Sequence, residues 1–381
     1  MKPEIHSRRE FMKKSVIAGS ITTMVKPVAA NRTAKKLPPL GVKLGFDNFS
    51  IRAFGWKAPQ LIDYAIAQKV DVLLMSDLDV YESFDEKYLR GLRAKAEAGG
   101  LELHAGTGSI NPNAKSFDKK KWQSGEAHIL QTIKVAKLLG SPVARCYQGT
   151  VDDRKSPGGI EARIAEMVRI CKNVRSQAID AGVKIAIENH AGDMQAWELA
   201  MLIEEAGKDF VGATMDCGNA TWTLEDPLEN LAILGKYAVT TGLRDSTVWE
   251  NEDGAVARWT AVGDGDVDFK TYAKQFVALA PNCAFVLEII SEFQRPMPYY
   301  RDDFWPPYAK VRPREFAKYV RMAKHGKERP AYVQPTGADK QQKLAAYQKP
   351  QFMTICNIFY AFSPMPKTSL QYFKLFSSSA F

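Results

Sequence analysis

The sequence is poor in the residues that announce a covalent framework or a nucleotide cofactor. Its five cysteines (Cys146, Cys171, Cys217, Cys283 and Cys356) stand far apart and no Cys-x-x-Cys occurs. That gives no support to a disulfide scaffold in a chain long enough to bury its own core. No Gly-x-Gly-x-x-Gly follows an early strand, and no Gly-x-x-x-x-Gly-Lys-[Ser/Thr] is present. Neither a dinucleotide fingerprint nor a phosphate-binding loop organises the fold. No lysine- or arginine-rich run interleaved with aromatics appears, so the chain has no nucleic-acid partner on this reading. The longest apolar run near the start, Val16 to Val25, is too short and too rich in Gly, Ser and Thr for stable membrane insertion.

That run belongs to a different pattern. Ser7-Arg8-Arg9-Glu10-Phe11-Met12-Lys13 precedes it and Lys26-Pro27-Val28-Ala29-Ala30 follows. A basic twin-arginine start, an apolar stretch and small residues before a cut describe an export signal. Residues 1–30 are therefore expected to be a twin-arginine signal peptide, with the twin-arginine translocase as partner during export and a periplasmic or otherwise exported mature protein. They carry six Lys/Arg against two Asp/Glu, so the net charge of +9 falls to +5 without them.

After a polar linker (31–40), strand-like and helix-like segments alternate eight times. Short apolar runs begin near Val42, Val70, Leu101, Pro142, Val183, Phe210, Ala238 and Ala284. Such runs bounded by turn residues read as buried parallel strands. Helical spacing is expected over Ala58–Gln68, Asp85–Ala98, Gly125–Leu139, Ile160–Ala181, Gln195–Ala206, Pro227–Leu234, Phe269–Leu279 and Arg314–Lys324. Gly99-Gly100, Gly140, Gly182 and Gly207 fall where helices should stop. Eight β-α repeats argue for an α/β fold, a closed (β/α)8 TIM barrel over residues 41–326. A long loop is expected from Thr247 to Val267. A second segment, Glu292 to Pro313, holds Phe293, Tyr299, Tyr300, Phe304, Trp305 and Tyr308, which either stack on sugar rings or cover the barrel rim. The C-terminal extension, 327–381, has no assignable period.

The chemistry concentrates where the strands end. The fifth strand stops in Glu188-Asn189-His190 and the sixth in Asp216-Cys217-Gly218-Asn219. The eighth carries Glu288 inside an apolar run, and the seventh offers Thr240, Gly242 and Arg244 on one face, with Asp245 at its end. In parallel α/β folds this edge holds the active site. Acids gathered there ask for a cation, and a divalent ion is the simplest one. His190 points the same way as Glu188. His104 is read at the tip of the third strand, and Arg145 and Arg244 bind an anionic group or balance the acids. His128, on a helix, and His6 and His325, outside the barrel, are expected at the surface.

Here the chain resembles the xylose isomerase-like TIM barrels, the sugar phosphate isomerase/epimerase superfamily. The resemblance covers roughly residues 40–325. It is carried by Ile-Glu-Asn-His (187–190), Met-Asp-Cys-Gly-Asn (215–219), Leu-Arg-Asp-Ser (243–246) and Leu-Glu-Ile-Ile (287–290). It implies one divalent metal ion (Mn, Co, Zn or Mg) held by Glu188, Asp216 and Glu288. Glu188 or Glu288 would then be the catalytic base, with His190 assisting. His104, Arg145, Asn219, Arg244, Asp245 and Trp305 are the candidates for substrate contacts. The family's fourth ligand is the histidine of His-Leu-Lys/Arg-Asp on the seventh strand, and this chain has Gly242 there. The implied activity is isomerisation or epimerisation of a carbohydrate by proton removal next to a carbonyl, or lyase cleavage of a 3-keto-glycoside. The alternative is a catalytically weak sugar-binding barrel that lost a ligand at Gly242. A homo-oligomer is compatible with the chain.

Overall fold

The computed structural model describes residues 42–290, 293–330 and 337. The expected signal peptide, the linker and nearly all of the C-terminal extension lie outside the described residues. Eight strands are parallel: β1 (Leu44–Asp47), β2 (Val72–Met75), β3 (Glu102–Ser109), β4 (Val143–Tyr147), β5 (Lys184–Glu188), β6 (Val211–Met215), β7 (Ala238–Thr241) and β10 (Phe285–Leu287). Each falls in one of the eight apolar runs of the sequence. They pair in the order β10-β1-β2-β3-β4-β5-β6-β7, and a bridge between Leu243 and Leu287 carries the ring across its last gap. The result is a nearly closed (β/α)8 barrel.

The strands read as continuous apolar runs because both of their faces are covered. Val72, Leu73, Leu74 and Met75 are all fully buried, as are Ile185, Ala186 and Ile187. Helices return the chain along the outside and stop at the residues chemistry would choose. Gly140 and Gly182 take left-handed backbone angles at helix ends, φ +74° and +66°, a region that disfavours any residue with a Cβ. The helix expected over Ile160–Ala181 is two, Gly159–Asn173 and Arg175–Ala181, separated at Val174 with φ −110° and ψ 12°. Asn173 and Val174 are both weak helix formers, and the break falls on them.

The expected long loop after the seventh strand is instead a hairpin, β8 (Asp245–Asn251) and β9 (Gly254–Thr260), turning through Glu252-Asp253. Asp253 in the turn and Gly254 opening the second strand at φ +146° are residues that suit so tight a connection. The second rim segment supplies β11 (Gln294–Met297), which pairs antiparallel with β9. The resulting three-stranded sheet shares an apolar cluster with the last helix, Pro313–His325, through Val248, Met297, Tyr299, Tyr308 and Tyr319. No helix among the described residues is long and apolar enough to cross a membrane.

His128 is not at the surface. It sits 5 % exposed, stacked on Trp122 at 4.2 Å, with Nε2 2.5 Å from the Thr107 hydroxyl and Nδ1 3.0 Å from the Ser109 carbonyl oxygen. Its helix is amphipathic, and position 128 falls on the inward face with Ile129 and Thr132. Burial pushes its pKa down to about 4. A depressed folded-state value stabilises the fold above the unfolded pKa of 6.5, and that contribution is lost as pH falls from 6.5 toward 4. Urea unfolding across this window should show His128→Asn losing less stability than the native chain, by on the order of 2 kcal/mol between the two ends. Equal pH slopes for the two proteins would refute the assignment.

Candidate active site

Three carboxylates are brought together by strand geometry. Glu188 ends β5, Asp216 follows β6 and Glu288 follows β10, so all three reach the same C-terminal edge of the barrel. They are 0 %, 0 % and 4 % exposed, and one oxygen from each lies within 4.8 Å of the others. Ionised carboxylates so close together in a low-dielectric interior need opposite charge.

Two arginines supply it. Arg145, on β4, donates from Nε to Glu188 Oε2 at 2.7 Å, again from Nη2 to the same oxygen, and from Nη1 to the Thr107 carbonyl at 2.9 Å. Arg244 places Nη2 2.6 Å from Asp216 Oδ2 and 2.7 Å from Glu288 Oε2. Its stem passes over Gly218, where an added Cβ would fall 2.2 Å from Arg244 Cγ. Its guanidinium lies 4.3 Å from the centre of the Trp259 ring. Asn219 ties two acids together, donating to Glu188 Oε1 at 3.1 Å and Asp216 Oδ2 at 2.8 Å. Burial lowers the pKa of both arginines, but the surrounding carboxylates outweigh it and hold both above the usual value. Burial also raises the pKa of Asp216 well above the ordinary carboxylate range, against the charge of Arg244.

By donor type and spacing, Glu188, Asp216 and Glu288 are a set that could hold one divalent ion. Oxygens of all three already accept from Arg145, Arg244 or Asn219. Gly242 offers no fourth ligand, and a Cβ built there would lie 3.1 Å from Glu288 Oε2, so that position does face the cluster.

The remaining sequence candidates divide. His190 lines the cavity, stacks on Tyr147 at 3.8 Å and donates from Nδ1 to the Gly149 carbonyl at 2.7 Å. Burial and then the charge of Arg145 push its pKa down to about 3, which keeps the ring neutral. His104 is not brought to the cavity. β3 runs on to Ser109, so residue 104 lies near the strand's start, with ring nitrogens 2.9 Å from Thr240 Oγ1 and 2.9 Å from Glu102 Oε1. Asp245 also points elsewhere: it accepts from the backbone N–H of Gly263, Gly265 and Val267 and so pins the segment after β9. Trp305 donates to the Tyr299 carbonyl at 3.0 Å and packs edge-on against Phe316 in the rim cluster. Of the six rim aromatics, only Phe293 lines the cavity.

The cavity measures about 470 Å³ and opens at the strand ends, a size that suits a small molecule. Its walls include residues that sequence reasoning missed. Trp222 and Trp259 stack face to face at 3.8 Å, and Phe49, Arg52 and Tyr147 complete the wall. Asp193 fixes the His190 turn by accepting from the backbone N–H of His190, Met194 and Gly149. Asp47, at the end of β1, is fully buried beside the cluster. Burial and the charge of Glu288 push its pKa up to about 7. Its place as the last residue of an apolar strand run was the signal available for it. Glu188 and Asp216 do not line the cavity; Glu288 does.

An eight-stranded parallel barrel with acids gathered at its C-terminal edge defines a class of small-molecule TIM-barrel proteins. The family model described as "Xylose isomerase-like TIM barrel" matches residues 60–304, and the chain belongs to that family. No curated protein matches the sequence. Among solved structures, the chain is similar to a D-psicose 3-epimerase with D-tagatose from Clostridium cellulolyticum H10, at 14 % identity and TM-score 0.52, over 84 % of this chain and 99 % of that one. It is similar to the IOLI protein with a zinc atom, at 14 % identity and TM-score 0.50, over 74 % and 95 %. A Sinorhizobium meliloti 1021 protein matches at 19 % identity and TM-score 0.50, over 74 % and 98 %.

Arg145→Met would leave Glu188 charged, buried and unpaired, which costs about 3–5 kcal/mol. Chemical denaturation should show that loss, and Arg145→Met with Glu188→Leu should regain more than half of it. A single variant as stable as the native chain would rule out the pairing.

Proposed function

We propose that the chain is a carbohydrate isomerase or epimerase that removes a proton from the carbon next to a carbonyl. The observation that carries this reading is Glu288: a carboxylate at the barrel's C-terminal edge, 4 % exposed, lining a sugar-sized cavity whose wall also holds Arg52, Arg145 and Arg244. Of the two glutamates the sequence left open as base, Glu188 is enclosed by Arg145 and Asn219. Glu288 keeps one face on the cavity and is the base in this reading. Neutral His190 orients a substrate hydroxyl. Trp222 and Trp259, stacked on each other, add aromatic surface to the cavity wall. The likeness to sugar epimerases shares the fold and agrees with a carbohydrate substrate.

A divalent ion bound at Glu188, Asp216 and Glu288 would polarise the carbonyl and its neighbouring hydroxyl. Arg244 lies on two of those three carboxylates, so ion and guanidinium compete for one place. The twin-arginine pattern supports export, and an exported member would act on free or oxidised sugars rather than sugar phosphates. Cleavage of a 3-keto-glycoside starts from the same proton removal. A sugar-binding barrel without catalysis is the second reading, favoured by Gly242 in place of a ligand side chain.

Incubating the mature protein in D₂O with common ketoses and 3-keto-glucosides should place deuterium at one sugar carbon. Glu288→Gln should slow that exchange by about 10²-fold or more, the usual contribution of a positioned base. Binding without exchange for every sugar tried would favour the second reading. Replacing Arg8 and Arg9 with lysines should leave a fusion of the full chain in the cytoplasm; unchanged export would remove the twin-arginine assignment.

A further inference from the structure

We infer that Arg244 is the resident cation of this site: its guanidinium holds the place a divalent ion would need and presents its remaining N–H groups to the substrate. The argument starts from distances. An ion shared by Asp216 Oδ2 and Glu288 Oε2 would stand about 2.0–2.6 Å from each. Arg244 Nη2 stands 2.6 Å and 2.7 Å from the same two atoms. The two positions overlap and the two charges repel, so only one can be present.

The arginine's place is built rather than incidental. Gly218 leaves the space its stem crosses, since a Cβ there would collide with Cγ at 2.2 Å. Trp259 supports the guanidinium from one face at 4.3 Å, a contact that favours arginine over a hydrated ion. Being part of the chain, this cation is present at every metal concentration, and an ion that took its carboxylates would strand a guanidinium that is 1 % exposed. The opposite side of the cluster lacks what an ion would gain, because Gly242 faces Glu288 without a ligand atom. Nε and Nη1 of Arg244 are buried and have no hydrogen-bond partner, and Arg244 lines the cavity. Buried donors left unpaired are costly, and a substrate oxygen would satisfy them. Resting on the isomerase or epimerase reading, that oxygen is the carbonyl whose neighbouring carbon loses the proton. The guanidinium then polarises it, with no electron or atom taken from a further reagent.

Metal binding tests the first half independently of activity. Equilibrium dialysis against 1 mM Mn²⁺, Co²⁺, Zn²⁺ or Mg²⁺, with metal counted by mass spectrometry, should leave the native chain with about a tenth of an equivalent or less. Titration calorimetry with Mn²⁺ should show at least about tenfold tighter binding for Arg244→Met, and tighter still with Gly242→His added. Arg244→Lys, which keeps the charge, should bind as weakly as the native chain. One ion bound per native chain at micromolar concentration overturns the inference, whatever the variants do. The second half is read by deuterium exchange into the sugar with and without EDTA. Exchange that survives the chelator supports the inference, and exchange abolished by it overturns the inference while leaving the enzymatic reading intact. No exchange under either condition sinks the enzymatic reading and the electrophile role together, and leaves the metal count standing.

Discussion

Three carboxylates within 4.8 Å of one another, none more than 4 % exposed, are the constraint from which the rest of the barrel edge follows. Burying three like charges side by side is costly unless opposite charge is brought to them. The chain meets the demand with two guanidinium groups placed one strand away on either side: Arg145 on β4 against Glu188, and Arg244 beyond β7 against Asp216 and Glu288. Arginine suits the task because it stays charged when buried and its fork can serve two oxygens at once. Secondary demands follow from this. Gly218 must lack a side chain so that the Arg244 stem can pass, the Thr107 carbonyl must take the third Arg145 donor, and Asn219 must link the two inner acids.

The loops around this cluster are held by the same kind of bond turned to backbone. Asp193 accepts three N–H groups and fixes the turn that carries His190. Asp245 accepts from Gly263, Gly265 and Val267 and sets where the chain leaves the hairpin. The hairpin in turn brings Trp259 under Arg244 and against Trp222. A cavity wall that looks local is thus assembled from β9, the segment after β6, and an aspartate at the start of β8. Buried carboxylates that accept backbone donors hold loops as rigidly as secondary structure would.

Much of this was legible in the sequence, for stateable reasons. Parallel strands buried on both faces leave short apolar runs, and all eight were found where those runs lie. Abrupt polar ends pointed to Glu188 and Asp216, and a carboxylate set inside an apolar run pointed to Glu288. What sequence could not give was pairing across the barrel. Arg145 and Arg244 were readable as cations near acids, but which oxygen each meets depends on register between strands far apart in the chain. His104 was misplaced because β3 extends five residues past it, a length its Gly-Thr-Gly composition conceals. The hairpin was read as a loop because both of its strands are buried along most of their length and carry no alternation to mark them. Trp222 and Trp259 are 37 positions apart, and nothing in either local sequence announces their stacking.

The asymmetry between the two glutamates also comes from counting donors. Glu188 accepts two bonds from Arg145 on one oxygen and one from Asn219 on the other, with no face on the cavity. A carboxylate so enclosed by fixed donors has no oxygen free to meet a molecule in the cavity. Glu288 has Arg244 on Oε2 and borders the cavity directly. Its single strong partner is also the group that would hold a substrate oxygen, so proton removal and charge stabilisation would act through neighbouring atoms. Two residues of one type at equivalent strand ends are thereby separated in role by their surroundings: one fixes the electrostatic frame, and the other remains able to exchange a proton.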